Sequence, residues 1–275
     1  MINHPDNVLK LIHSDDRVLD VGGGLAPFSR ADAVVDIEPY ETYVAFSSEK
    51  NEQVNFNRDT WFVGDICYPQ VWSQIPDKAF DFVLCSHTLE DVRDPLFVCS
   101  QLQRVAKAGY IETPSKFREC AKANGDDVIA GWEHHRWIIE VENEAIFFKL
   151  KNPFIHHFDY LGEARRPHVF DYYNQFVGVY WVGCFDYAER THKGSAVETE
   201  DLFYFFDHYP YDKESNVELP PVFYTIDNSP FRGKTVYFGN DYSLPIENVY
   251  SIEMILQLHH DRMAREGKFP TALTS

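Results

Sequence analysis

Arg17-Val-Leu-Asp-Val-Gly-Gly-Gly24 carries a short apolar run straight into a cluster of three glycines. Twelve residues beyond Gly24, Val34-Val-Asp36 ends a second apolar run on an acid. The pattern reads as a strand, a tight turn and a second strand whose last residue is acidic. Glycine lets a backbone approach a ligand closely, and a carboxylate at the next strand end accepts both hydroxyls of a ribose. A nucleoside site is therefore predicted. A dinucleotide site would share these features, and the residues up to about 115 decide against it.

Reading outward, 5–15 is a short helix before a first strand at 17–21, and a second strand covers 33–37. Pro39 stands where a helix can begin, so 41–50 is predicted helical. Phe62-Val-Gly-Asp65 ends a third strand. Ala79-Phe-Asp-Phe-Val-Leu-Cys85 is a buried fourth. Asp94-Pro95 opens a helix whose apolar positions Leu96, Val98, Cys99, Leu102 and Val105 share one face, and Lys107-Ala-Gly109 is expected to end it. Tyr110-Ile-Glu-Thr113 is a fifth strand, stopped by Pro114. Strands alternating with helices at this spacing predict a parallel sheet with its ligand at the strand C-termini. Beyond Pro114 the rhythm changes. Segments 136–142 and 145–150 flank Asn143 as a hairpin, and 153–190 is dense in aromatics. Thr191–Ser195 is expected to be a surface loop, 201–208 a late strand and 246–266 a terminal helix.

The chain has 275 residues, 44% hydrophobic and 16% aromatic, enough for one substantial core with an appendage. Its formal net charge of −18 repels phosphate backbones and anionic lipid, and no basic patch offsets it. Nucleic-acid and membrane partners are not expected. Cys67, Cys85, Cys99, Cys120 and Cys184 lack CxxC spacing and read as reduced, buried thiols of a cytoplasmic protein. The first residues carry no signal-peptide pattern, and every apolar run is too short to span a bilayer.

The ordered motifs over about 15–115 resemble the class I S-adenosylmethionine-dependent methyltransferases, in the broad group that holds many small-molecule and sugar enzymes. Val18-Leu-Asp-Val-Gly-Gly-Gly24 is similar to the family's first motif, and Asp36 matches its ribose-binding acid. Gly64-Asp65-Ile66 matches its adenine segment. Phe80–Glu90 with Asp91-Val-Arg-Asp-Pro95 resembles its fourth-strand motif. Three departures stand out. Ala26 replaces the third alternating glycine, and the short interval before Asp36 leaves room for a loop rather than a full first crossover helix. Asp91 also stands where many relatives carry histidine. The resemblance implies an α/β, Rossmann-like, mostly parallel seven-stranded sheet with inserted substrate-side elements and a C-terminal extension. It divides the chain into a cofactor half at 1–115, an insertion or lid at 116–194, and a completing segment at 195–275. It implies S-adenosyl-L-methionine as cofactor, held by Asp20, Gly22, Gly23, Gly24, Asp36, Asp65, Ile66 and the strand end at Cys85.

The implied reaction is methyl transfer to a small-molecule or glycan-precursor acceptor, with oxygen the preferred atom and a homodimer the possible assembly. The alternatives are a silent interaction scaffold or a protein methyltransferase. Ionising an acceptor hydroxyl calls for a base with a pKa near working pH, which histidine supplies. His87 follows strand four. Gly131-Trp-Glu-His-His-Arg-Trp137 follows strand five, where substrate elements are inserted. In an extended strand, adjacent His134 and His135 would point opposite ways, one to the pocket and one to the core. One of the pair is expected to contact the acceptor, with His87 shaping the cofactor-side wall and Arg136 and Tyr172 binding substrate. No zinc spacing is present, and no metal is expected.

Overall fold

The computed structural model describes residues 5–47, 53–122, 129–142, 145–157, 175–191 and 202, with short strand segments at 223–226, 237–238 and 249–250. After a one-turn helix α1 (Pro5–Leu9), strands β1 (Val18–Val21) and β2 (Ala33–Asp36) follow in quick succession. All eight of their residues are buried, as the unbroken apolar runs require of strands covered on both faces. Residues 22–32 form turns and bends, so a loop joins β1 to β2 where such folds place a helix. Helix α2 (Tyr40–Ser47), strand β3 (Trp61–Val63), helix α3 (Pro69–Trp72) and strand β4 (Phe80–Ser86) complete the first half.

Helix α4 (Pro95–Val105) begins as its sequence dictates. Pro95 sits in the first turn, where a missing N–H costs nothing, and the Asp94 carboxylate accepts the Phe97 N–H at 2.9 Å. Its end differs from expectation. Lys107–Gly109 is not a terminating turn but part of β5 (Ala106–Pro114), which Ala106 enters directly in extended conformation. Helix α5 (Lys116–Glu119), the hairpin β6 (Trp137–Glu142) and β7 (Ala145–Leu150), and strands β8 (Phe176–Val182) and β9 (Asp186–Arg190) follow, then β10 (Phe223–Ile226). Short β11 (Tyr237–Phe238) and β12 (Val249–Tyr250) pair in parallel. Val249 and Tyr250 are thus strand within the span predicted as a terminal helix. The rest of that span lies outside the described residues, as does nearly all of 201–208.

The main sheet has the order β10-β8-β5-β4-β1-β2-β3. Strands β1 to β5 run parallel, while β8 is antiparallel to β5 and carries β10 parallel to itself. The sheet is therefore mixed. The chain leaves β1 outward through β2 and β3, then returns to place β4 on β1's other side. That reversal puts a crevice beyond the C-termini of β1 and β4, where open α/β sheets bind ligands. Leu19, Val83 and Ile111 pack with α3, α4 and a second sheet, β6-β7-β9, in one buried cluster. Val34, Phe82 and Tyr110 pack with Val8, Phe56 and Trp61 in another. With the crevice side chains fixed from both layers, the strand ends become a rigid platform.

Candidate functional site

At the end of β1 the backbone turns through Gly22 at φ 75° and Gly24 at φ 56°, left-handed conformations that favour glycine. The two serve different ends. A side chain on Gly22 would strike Thr88, whose hydroxyl donates toward the carbonyls of Val21, Gly22 and Ser86. One on Gly24 would meet nothing within 4 Å. Gly22 thus lets the β4 end pack against the turn, whereas Gly24 keeps a space open. Gly23 is held close to Asp20 and Pro27.

Asp36, 4% exposed at the end of β2, accepts the Gly24 N–H at 2.7 Å through one oxygen and the Glu38 N–H at 2.8 Å through the other. Each carboxylate oxygen has a second lone pair, so the group stays able to accept two ribose hydroxyls. Ile37, the next residue, is 67% exposed. Asp65 accepts the Cys67 N–H, and Ile66 is buried beside it. These residues fit a nucleoside cofactor: an open glycine turn, a buried carboxylate fixed at the neighbouring strand end and an apolar surface next to it.

Asp20 accepts the Phe28 N–H at 2.7 Å and so closes the loop that replaces the first helix. Burial raises its carboxyl to about 6, against the lowering effect of that amide. Cys85 lies in register between Val21 and Ile111. Burial pushes its thiol well above the ordinary range, which leaves it a protonated packing group.

His87 takes φ 52°, a strained conformation for a non-glycine residue, directly after β4. Its ring lies 3.3 Å from both Glu90 and Glu112. Burial works against a charge there, but Glu112 and Glu90 outweigh it and hold the pKa at about 9. Glu112, fully buried in β5, also accepts the hydroxyls of Ser86 and Tyr110. At neutral pH His87 is therefore a cation locked between two carboxylates and is unsuited to take a proton.

The expected opposition of His134 and His135 does not hold. They lie in the turn before β6, not in a strand, and both rings line one cavity of about 520 Å³. The turn is docked by backbone, since the N–H groups of Arg136 and Trp137 both donate to the Glu90 carbonyl. This sets the pair over Asp91. His135 Nδ1 lies 2.5 Å from Glu119, whose other oxygen holds the Lys151 ammonium at 2.6 Å. The Glu119 carboxylate, paired with Lys151, engages His135 Nδ1, which leaves Nε2 as the ring atom turned toward Asp91. Arg93, Arg136 and His156 line the same cavity, with Glu133 its one acid. Tyr172 lies outside the described residues. Glu90, Glu112, Glu119, Lys151 and Thr88 were not anticipated. For Glu112 a signal exists, a lone acid inside the apolar run Tyr110–Thr113, whereas isolated Glu119 gives none.

A family model described as a methyltransferase domain matches residues 4–147. Among solved structures, a protein from Pyrococcus horikoshii is 17% identical, with 50% of this chain covering 67% of that one at a TM-score of 0.35. A SAM-dependent methyltransferase from Aquifex aeolicus is 21% identical, over 41% of this chain and 64% of that one, at a TM-score of 0.32. An arsenic(III) S-adenosylmethionine methyltransferase from Chlamydomonas reinhardtii is 20% identical over 36% and 39%, at 0.30. The chain thus spans about two thirds or less of these relatives. No curated protein matches it.

Proposed function

The chain belongs to the S-adenosylmethionine-dependent methyltransferase family, and we propose that it methylates an oxygen of a small-molecule acceptor held in the cavity under His134 and His135. One observation carries the reading. The five-residue connection 87–91 touches the cofactor turn at one end, through Thr88 and Gly22, and the histidine pair at the other, through Asp91. A single rigid segment thus links the place for the cofactor to the place for the acceptor.

Bound S-adenosylmethionine supplies an electrophilic methyl group on a sulfonium with a neutral leaving group. Asp36 would hold its ribose, and Ile37 and Ile66 would cover its base. Because that methyl is already activated, the protein's work is to position the acceptor and to ionise its hydroxyl. Asp91, His134 and His135 are the groups placed to do the latter, while cationic His87 stiffens the wall between the two halves of the site. Arg136 is exposed at the cavity with Arg93 and His156. That cluster, on a chain of net charge −18, favours an acceptor with a carboxylate or phosphate. Among the described residues no helix is long and apolar enough to cross a membrane. All five cysteines are free, which suits a reducing compartment.

The test is a methyl-transfer screen with labelled cofactor against pooled small acids, neutral alcohols, glycans, proteins and RNA. Label in the acidic small molecules is expected, with Arg136→Ala raising KM and leaving kcat nearly intact. Label confined to protein or RNA overturns the assignment.

A further inference from the structure

We propose that Asp91, His134 and His135 form a binding site for a divalent transition metal of the zinc type. Their ligand atoms, one from each residue, lie within 4.8 Å of one another. They converge because His134 and His135 sit in a turn that the Glu90 carbonyl pins against the Asp91 segment.

Two further observations point to a cation between these groups. One is the orientation of the His135 ring. Glu119 engages Nδ1, so Nε2 is the ring atom turned toward Asp91 Oδ1, at 3.8 Å. That distance is too long for a hydrogen bond. Two atoms able to act as ligands thus stand close without bonding to each other, at a separation that a shared cation would bridge. The other is Asp91 Oδ1 itself, which is buried and has no hydrogen-bond partner among the described residues. A buried carboxylate oxygen left in that state is costly.

The remaining geometry suits a metal. Two donors bonded to one tetrahedral ion stand about 3.3 Å apart, so closing the Asp91–His135 gap takes roughly 0.5 Å. Glu119 provides the carboxylate that orients a metal-bound histidine, and Lys151 anchors Glu119 in turn. Two imidazoles and one carboxylate favour zinc, cobalt or iron over magnesium. His134 is exposed and His135 and Lys151 line the cavity, so a fourth position would open to incoming solute. A Lewis acid there would lower the pKa of a coordinated hydroxyl, which is the ionisation the acceptor needs. That consequence rests on the proposed methyl transfer, but the metal site itself does not.

The test uses the full chain without a histidine tag, stripped with chelator and desalted. Zn2+ is titrated by calorimetry and Co2+ by its visible absorption. One saturable equivalent is expected, with a four- or five-coordinate Co2+ spectrum and no comparable uptake of Mg2+. His134→Ala and Asp91→Asn alter exposed or half-exposed side chains and should each weaken Zn2+ at least about tenfold. His13→Ala, an exposed histidine far along the chain, should change nothing. Absence of saturable binding by the wild-type chain, or affinity kept in both His134→Ala and Asp91→Asn, overturns the site. Cofactor binding is measured separately. Zn2+ uptake without it leaves the metal site standing and removes the methyl-transfer reading, and the reverse result removes the metal alone.

Discussion

Replacing His87 with Gln should remove a specific, pH-dependent part of the chain's stability. In the folded state the Glu112 and Glu90 carboxylates hold the imidazolium to a pKa of about 9, against 6.5 for an unperturbed histidine. The ring is 22% exposed, so solvent screening is modest. At about 1.36 kcal/mol per pKa unit, the interaction is worth about 3 kcal/mol when both folded and unfolded forms are charged. Because the folded pKa is the higher one, this stability is fully present below pH 6.5 and is lost as pH rises through 9. About 2 kcal/mol should remain at pH 7.5 and less than about 0.5 kcal/mol near pH 9. Urea unfolding of wild type and His87→Gln at pH 6, 7.5 and 9 measures it, and the difference between the two chains cancels groups that titrate in both. The gap should narrow steeply across that range. A gap that stays constant with pH would show that His87 carries no charge in the fold, and the argument against it as a proton acceptor would fail with it.

Asp36→Ala should weaken S-adenosylmethionine binding by about 2 kcal/mol, near thirtyfold, in a calorimetric titration; unchanged affinity would remove Asp36 from the ribose site. Asp20, with a carboxyl raised to about 6, must be ionised to face a cationic cofactor. Affinity should therefore fall about tenfold from pH 7 to pH 5 in the wild type and stay flat in Asp20→Asn. The same raised pKa means that stability is lost as pH rises from 3.8 through about 6, and the full cost of Asp20 persists above that. Asp20→Asn should raise the urea midpoint of the free chain at pH 7, and a lowered midpoint would contradict the burial argument. Lys151→Met removes the ammonium from the buried Glu119 carboxylate, leaving it only His135, and should cost about 3 kcal/mol in chemical unfolding. A loss under about 1 kcal/mol would mean that His135 alone suffices to hold Glu119 in the interior.

The cofactor half of this fold is legible in the sequence because its signals are local. Three glycines after an apolar run, an acid at the next strand end and Asp94-Pro95 before an amphipathic stretch each state their conformation within a few residues. The direct passage from α4 into β5 was not legible, because Lys107–Gly109 resembles a helix stop and only pairing with β4 makes it strand. The orientation of the histidine pair is not legible, since nothing in Glu133–Arg136 distinguishes a turn from an extended segment until Glu90 accepts its amides. Glu119 was missed for a related reason. Its partners lie 16 and 32 residues away, and a buried charge is recognisable only with them in place.

The loop that stands in for the first crossover helix has an electrical consequence. A helix starting at the glycine turn would aim its positive dipole end and several unpaired amides at the ligand, which is how related sheets hold a diphosphate. Here no helix starts there. The Gly22 N–H is taken by Val35 and the Gly24 N–H by Asp36, and the nearest charged groups, Asp20 and Asp36, are acids. A dinucleotide would bring two negative charges to a surface with no dipole and few free donors to receive them, whereas a ligand with positive charge would meet counter-charges already in place. The shortened crossover thus leaves buried acids, and no helix dipole, at the crevice beside β1 and β2.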